Sequence, residues 1–482
     1  MGENSKVRCK IKPETTAKPQ MLGAPAVSCS SLLGGKYMLK AGFISLGCAK
    51  NLVDTEVMLG LLAANNIEIT KDPQDAEILI INTCSFIESA KEESIATILQ
   101  MAEYKTQGKC QCLIVAGCLG QRYQQELLDE LPEVDAIVGT GAWHRIIEAI
   151  NTTIVAKERV LLIDATNTIY DETMPRISTS PFYSAYVKIA EGCSNCCSYC
   201  IIPKIRGAFR SRAIESIIIE VKNLVASGVK EINLIAQDTT SYGRDLYGAP
   251  KLTDLLKELV KIDGLMWIRL LYCYPKYFSD ELIELIASEP KICKYIDLPL
   301  QHAHDDILKG MLRPDGRRDI ETLLNKLRAK IPGITIRTSF IVGFPGETDA
   351  HFEDLRQFVT AQQFERVGVF TYSQEEDTLA SKLPNQIADE VKQDRYHNLM
   401  TLQCQISETL NQQLEGTILD VLIEQVSTEG DTIVSGRSYR EAPEVDGQIF
   451  IEKGTDCKPG DVIKAKVVQG FTYDVVAEKL ST

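Results

Sequence analysis

Ten residues in the middle of the chain concentrate the chemistry: Glu191-Gly192-Cys193-Ser194-Asn195-Cys196-Cys197-Ser198-Tyr199-Cys200. Cys193, Cys197 and Cys200 stand in a C-x3-C-x2-C spacing. Soft thiolates hold a [4Fe–4S] cube, and ligands this close let one loop wrap it with little extra ordering cost. Three ligands leave the fourth iron open to chelation by the amine and carboxylate of an amino acid. One electron from the cluster can then cleave a sulfonium bond beside that iron. The competing structural reading is a zinc knot or a buried cysteine-rich turn. Zinc wants a fourth ligand nearby, and the next histidine downstream is His302. Cys196 also makes feasible spacings, with Cys193 and with Cys200, and is read as a spectator.

Cys48, Cys84 and Cys118 lie far apart in sequence. Each falls at or near the carboxyl end of a predicted parallel strand, in Ser45-Leu46-Gly47-Cys48, Asn82-Thr83-Cys84-Ser85 and Ala116-Gly117-Cys118. In doubly wound sheets that edge is where ligands bind. Taken singly, each cysteine reads more readily as a small buried hydrophobe. Three at one edge of neighbouring strands favour a ligand set instead. Cys110 and Cys112 enter the last of these strands from its start and read as packing or loop residues.

The elements that must position these residues come in three series. From 42 to 150 the strand-like runs Gly42–Cys48, Ile78–Ser85, Leu113–Cys118 and Ala136–Val138 alternate with helical stretches, the pattern of a parallel sheet covered on both faces. From 185 to 373 six further strands are predicted: Tyr186–Ala190, Glu231–Ala236, Trp267–Tyr272, Tyr295–Leu300, Thr335–Val342 and Arg366–Tyr372. Helical stretches separate them, so six βα-like units make a partial barrel with active groups at the strands' carboxyl ends. Beyond about 412, short β runs punctuated by Gly430, Gly436, Gly447, Gly454 and Gly470 read as a small β-barrel. The expected fold class is therefore α/β: a doubly wound parallel sheet, a central partial (βα)6 barrel and a C-terminal small β-barrel. The expected domains are 38–155, 179–409 and 412–482, after a disordered extension over 1–37 that reads as an upstream start ahead of Met38.

Composition narrows the class. The 482 residues exceed one typical core, and 44% hydrophobic with 24% charged residues suit a soluble globular chain. No run of about 18 or more uncharged apolar residues appears, so a membrane-spanning helix is not expected. The N-terminal segment lacks the apolar core of a secretory signal, and Lys6 stands where a myristoylation motif needs Ser or Thr. Fifteen cysteines in a chain without such a signal point to burial, metal or catalysis rather than disulfides. A net charge of −14 disfavours broad contact with nucleic acid and suits a cationic partner.

The cysteine loop, with Tyr199 before its last cysteine, resembles that of the radical S-adenosylmethionine (SAM) superfamily. Residues 40–480 as a whole resemble the methylthiotransferase family within it, through Ser45–Asn51 (SLGCAKN), Asn82–Ser85 (NTCS), Ala116–Gly120 (AGCLG) and Glu191–Arg212 ending IIPKIRGAFRSR. The resemblance implies that SAM is cleaved to methionine and a 5′-deoxyadenosyl radical at the Cys193, Cys197 and Cys200 cluster. It assigns Cys48, Cys84 and Cys118 to a second, auxiliary [4Fe–4S] cluster and names the C-terminal barrel TRAM. It raises the SAM-binding reading of Gly343 and Gly346 in Thr338–Thr348 (TSFIVGFPGET) over a plain strand–helix turn. Tyr199, Gln237, Asp238, Gln301 and Arg313 complete the candidate SAM contacts, with His302 read as either a polar site residue or a core histidine.

Two branches of that family differ in target: an adenosine of transfer RNA, or the β-carbon of an aspartate in small-subunit ribosomal protein twelve. SLGCAKNLVDTE, EGCSNCCSYCIIPKIRGAFRSR and GRSYREAPEVDG resemble the ribosomal-protein branch. Charge agrees, because Glu415–Thr482 holds 7 Lys plus Arg against 13 Asp plus Glu, a net of −6. An RNA-gripping barrel should carry a basic groove; Arg437 and Arg440 are the local exception, with Glu441 and Glu444 beside them. Tyr439 and Tyr473 read as packing residues. The favoured expectation is a protein aspartate methylthiotransferase. The alternatives are a tRNA methylthiotransferase and a non-catalytic iron–sulfur RNA-binding or sensing module. The favoured one implies a basic ribosomal protein or ribosomal subunit as partner, a low-potential electron donor and a cytoplasmic setting, with no membrane and no required nucleic-acid contact.

Overall fold

A computed structural model describes residues 21–22, 38–427, 433–452, 454 and 456–480. Its first sheet has seven strands: β1 (Met21–Leu22), β2 (Lys40–Ser45), β3 (Glu68–Thr70), β4 (Ile78–Thr83), β5 (Cys112–Gly117), β6 (Ala136–Val138) and β7 (Val160–Leu162). The order is β1-β2-β4-β5-β6-β7, with β3 also on β2, and all pairs but β1–β2 are parallel. β4 and β5 are buried along their whole length. Their alternate side chains enter two separate cores: Ile78, Ile80, Cys112 and Ile114 on one face, and Leu79, Ile81, Leu113 and Val115 on the other. That is the doubly wound arrangement. β7 lies beyond residue 155, the expected domain end. Within the expected disordered extension, Met21–Leu22 pair with Phe43 and Ile44 as a strand; the rest of that segment lies outside the described residues.

The second sheet is formed by β8 (Ser184–Lys188), β11 (Glu231–Ile235), β12 (Trp267–Leu270), β13 (Ile292–Asp297), β14 (Thr335–Val342) and β15 (Arg366–Thr371), while β9 (Ala190–Glu191) and β10 (Arg210–Ser211) pair antiparallel between them in sequence. All neighbours in the order β15-β14-β13-β12-β11-β8 are parallel, and β8 and β15 form its two edges. This is the six-unit partial barrel. The helix Asp389–Gln412, which lies between the last expected barrel strand and the β-rich segment beyond about 412 and was not among the expected elements, packs on β15 and buries Leu399 and Ile406.

The closed barrel runs β16 (Ile418–Ser427), β17 (Ile433–Arg437), β18 (Ile449–Glu452), β20 (Val475–Lys479) and β19 (Val462–Gly470), in the order β16-β17-β18-β20-β19. It is riveted to the second sheet by charge. The Glu231 carboxylate, fully buried on β11, accepts from Arg437 at 2.7 and 3.2 Å and from Arg269 at 3.1 Å. Arg269 in turn donates to the Tyr439 and Ser438 carbonyls at 2.7 and 3.2 Å. Arg437 is therefore interior, committed to Glu231 and to Glu424, and not part of an exposed basic surface. No helix among the described residues is long and apolar enough to cross a membrane.

Candidate functional site

β2, β4 and β5 are adjacent and parallel, with Ser45 opposite Asn82 and Thr83 opposite Gly117. The chain reversals that follow them therefore line up along one edge. Cys48 precedes helix Ala49–Ala64 in extended conformation, Cys84 follows β4, and Cys118 opens helix Cys118–Glu130. Two left-handed glycines allow the approach. A Cβ on Gly47 (φ +87°) would lie 2.9 Å from the Cys84 Cβ, and one on Gly117 (φ +88°) 2.1 Å from the Asn82 Oδ1. Side-chain amides then lock the turns. Asn51 Nδ2 donates to the Leu46 and Thr83 carbonyls at 3.0 and 2.9 Å, and Asn82 Nδ2 donates to the Asn51 carbonyl at 2.8 Å.

The three thiols feel one another. Burial pushes Cys84 up to about 12, with Cys118 and Cys48 adding to it, and pushes Cys118 up to about 11. At Cys48 burial acts the same way, but Lys50, Arg206 and the Asn51 and Lys50 N–H groups outweigh it and hold the thiol below its ordinary value. Such a set suits a thiophilic metal centre, whose own charge deprotonates coordinating thiols. Sulfurs around one tetrahedral zinc lie about 3.8 Å apart, given Zn–S bonds of about 2.3 Å. Among the described residues, the group gathered within 4.8 Å is His304, Asp306 and His351, and neither cysteine triad is drawn that tightly. A cavity of about 290 Å³ opens beside Cys48, between Gly47, Leu52, Thr179, Ser180 and Glu444.

The second triad sits on the loop after β9. The Cys193 N–H donates to the Gly207 carbonyl at 3.0 Å, and Gly192 (φ +75°) has no room for a Cβ beside the Ala208 carbonyl. Ser198 pins the far side, donating through its N–H to Met311 and through its hydroxyl to Gly310 at 2.7 Å. Cys196 is exposed, with its sulfur toward the Ser194 carbonyl, while Cys193, Cys197 and Cys200 are partly buried. Burial pushes Cys193 up to about 11 and Cys200 up to about 12, with the Cys197 thiol adding to both.

The candidate SAM contacts divide. Tyr199 and Arg313 both act electrostatically on Cys197, and Arg313 stacks 3.9 Å from the Tyr274 ring centroid while donating to the Pro299 carbonyl at 2.9 Å. Gln237 donates to Glu191 at 2.9 Å, and its buried Oε1 has no donor among the described residues. That is an open acceptor beside the loop, fitting an ammonium-bearing ligand. Gln301 holds a left-handed backbone (φ +74°) bridged to Phe340. Asp238 lines a cavity of about 500 Å³ beside the cysteine loop and is also bonded within the protein. Its carboxylate accepts from Asn195, Ser241 and Thr240 at 2.6–3.1 Å and braces the cysteine loop. A Cβ on Gly343 would meet Lys392 Cγ at 2.3 Å, and the Gly343 N–H bonds to Glu347, so its smallness serves turn packing. Gly346 (φ +82°) instead borders open space. His302 is a core histidine: fully buried, its Nδ1 accepts from the His304 N–H at 3.0 Å, and its Nε2 lies 3.8 Å from Glu347.

Sequence reading missed the network between the triads. Arg206, 2% exposed, donates to Glu191 at 2.8 Å, to Asp54 at 3.1 Å, to Asn51, and toward the Cys118 sulfur at 3.8 Å. Lys188 bonds Asp54 and, at 2.6 Å, Glu191. Two cations and two carboxylates thus form a buried, mutually neutralised cluster from Cys118 to a residue two before Cys193. The available signal was Arg206 itself, inside the IIPKIRGAFRSR stretch, yet nothing in its spacing named partners in another domain.

Three family models match the chain in series: uncharacterized protein family UPF0004 over residues 40–139, the radical SAM superfamily over 187–359, and the TRAM domain over 416–479. Among curated proteins, ribosomal protein uS12 methylthiotransferase RimO of Desulforamulus reducens is 54% identical over 441 residues, covering 92% of this chain and 99% of that one. The protein of the same name from Geobacter sulfurreducens is 52% identical, with 92% and 99% covered. The chain belongs to the uS12 methylthiotransferase family. Among solved structures, the radical SAM methyltransferase TsrM from Kitasatospora setae, with cobalamin and a [4Fe–4S] cluster bound, aligns with TM-score 0.51 at 15% identity, covering 70% of this chain and 72% of that one. At that identity the likeness is one of fold, and it agrees with the two α/β sheets described above. The uS12 methylthiotransferase relatives, by contrast, are matched along almost their whole length.

Proposed function

We propose that the chain is a radical SAM methylthiotransferase that inserts sulfur and a methyl group at the β-carbon of an aspartate in small-subunit ribosomal protein twelve. What carries the reading is the pair of cysteine triads at the carboxyl edges of two parallel sheets, joined by the Arg206 network, in a chain 54% identical to a uS12 methylthiotransferase. Cys193, Cys197 and Cys200 would hold one [4Fe–4S] cluster, and Cys48, Cys84 and Cys118 the auxiliary one; each triad leaves one iron to exchangeable ligands. When bound, these groups and SAM supply reductive sulfonium cleavage, methyl donation and a sulfur-bearing iron.

The chain's own part is placement. Ser198, Gly192 and Asn195 hold the cysteine loop in place, and Tyr199 and Arg313 stand beside Cys197. Gln237 offers its free carbonyl oxygen to a donor such as the SAM ammonium, while Gly346 leaves the loop after β14 open. Asn51 and Asn82 fix the three auxiliary turns. A basic protein target fits the acidic barrel, whose Arg437 is spent on Glu231 and Glu424 and so is withheld from RNA. The reading calls for a low-potential electron donor and a cytoplasmic setting beside ribosomes. Anaerobic reconstitution, SAM and a reductant, followed by mass spectrometry, test it. A methylthio group should appear on the aspartate of the ribosomal protein and none on tRNA nucleosides; modified tRNA alone would reverse the assignment.

A further inference from the structure

Lys50 lies two residues after Cys48, in the first turn of helix Ala49–Ala64, and is 6% exposed. Its ammonium stands 3.1 Å from the centroid of the Tyr272 ring. Among the described residues it makes no hydrogen bond and no ion pair. The other buried cations at these junctions are all matched: Lys188 and Arg206 by Asp54 and Glu191, Arg269 and Arg437 by Glu231. A cation–π contact offsets only part of the cost of desolvating an ammonium. The site is short of one anion.

Among the described residues the largest opposite charge on it is the Cys48 thiol, which iron would claim in the loaded protein, and no carboxylate supplies the anion. Asp297 and Glu191 act on Lys50 only from beyond pairing distance. Asp297 already accepts the Tyr272 N–H at 2.9 Å and faces Arg337 at 3.8 Å, and Glu191 is held by Lys188 and Arg206. Position gives the missing anion a meaning. Cys48 follows β2, Tyr272 follows β12 and Asp297 ends β13, so the ammonium sits where the carboxyl edges of both sheets meet, beside Cys48 of the auxiliary triad.

We propose that Lys50 receives the side-chain carboxylate of the target aspartate and is the specificity-determining contact of the site. The inference rests on the function proposed above. The carboxylate is bonded directly to the β-carbon, so an ammonium that fixes the one places the other beside the auxiliary triad. A neutral side chain in the aspartate's place would leave the ammonium unpaired, and sites built around a polar partner reject analogues that lack it.

The test compares two peptides spanning the target loop of the ribosomal protein, one with the aspartate and one with asparagine in its place. Their affinities for the reconstituted protein are measured anaerobically by fluorescence anisotropy, for wild type, Lys50→Gln and Lys50→Arg. Iron content and peptide-free SAM cleavage are followed in parallel. Wild type should prefer the aspartate peptide at least about tenfold, Lys50→Gln should bind both alike with iron and SAM cleavage kept, and Lys50→Arg should restore most of the preference. Equal binding of the two peptides by wild type overturns the proposal. So does a Lys50→Gln protein that loses iron yet keeps the preference, which would reassign Lys50 to the Cys48 thiolate. A wild-type protein that prefers the aspartate peptide yet never methylthiolates it would sink the functional reading and leave the Lys50 contact standing.

Discussion

At the scale of single residues, six thiols separate into two independent sets, because each triad is held by its own backbone contacts. Cys48→Ala should therefore lose one cube and keep SAM cleavage, whereas Cys193→Ala should keep the auxiliary cube and lose cleavage; iron analysis with electron paramagnetic resonance reads both. Cys196→Ala should leave both cubes in place, since its sulfur is exposed and turned toward a carbonyl of its own loop. Loss of a cube in that variant would make Cys196 a ligand. Gly117→Ala joins a φ of +88° to a Cβ 2.1 Å from Asn82. It should cost more than 1 kcal/mol of stability and diminish auxiliary iron before it diminishes the other cube, as thermal unfolding and iron per chain would show.

At the scale of elements, β11 and the small barrel are joined through one carboxylate. Removing Glu231 leaves Arg269 buried without its carboxylate and Arg437 with Glu424 alone, and breaking such a buried pair costs about 3–5 kcal/mol. Glu231→Ala should accordingly lower the unfolding midpoint far more than an exposed pair such as Lys257–Glu281 would. The same residue sets an acid limit. Burial opposes its ionisation, but Arg437 and Arg269 outweigh that and bring its folded pKa to about 2. Its contribution is complete above the ordinary carboxylate range and is lost as pH falls from there through about 2. Wild type should thus lose stability steeply over that window, while Glu231→Gln, already weakened at neutral pH, should lose less; denaturant unfolding across pH distinguishes the two.

At the scale of the whole molecule, long-range charge matters most. A net charge of −14, with −6 in the residues from Glu415 onward, attracts a basic protein and repels a phosphate backbone. Association with the ribosomal protein should slow as ionic strength rises, because the attraction is screened over about 10 Å at 0.1 M salt. Stopped-flow binding at two salt concentrations checks this, and an on-rate indifferent to salt would mean that long-range charge does not guide the encounter.

Much of this was written in the sequence. Strands such as Thr335–Val342 and Ile449–Glu452 are visible as short runs rich in β-branched and aromatic residues, and the spacing of Cys193, Cys197 and Cys200 is local, so one loop discloses it. Even Cys48, Cys84 and Cys118 could be assembled, because parallel strands carry their carboxyl ends to one edge whatever lies between them. Burial partners are a different matter. Nothing in the sequence announces that Asn195, Thr240 and Ser241 bond the Asp238 carboxylate, or that Lys392 crosses Gly343 from a helix some fifty residues on. Arg206, Glu231 and Lys50 carry no periodic or spacing signal of their own. A charge buried with partners and one buried without any are spelled the same way in a chain, and only packing two sheets and a barrel together decides which residues face each other.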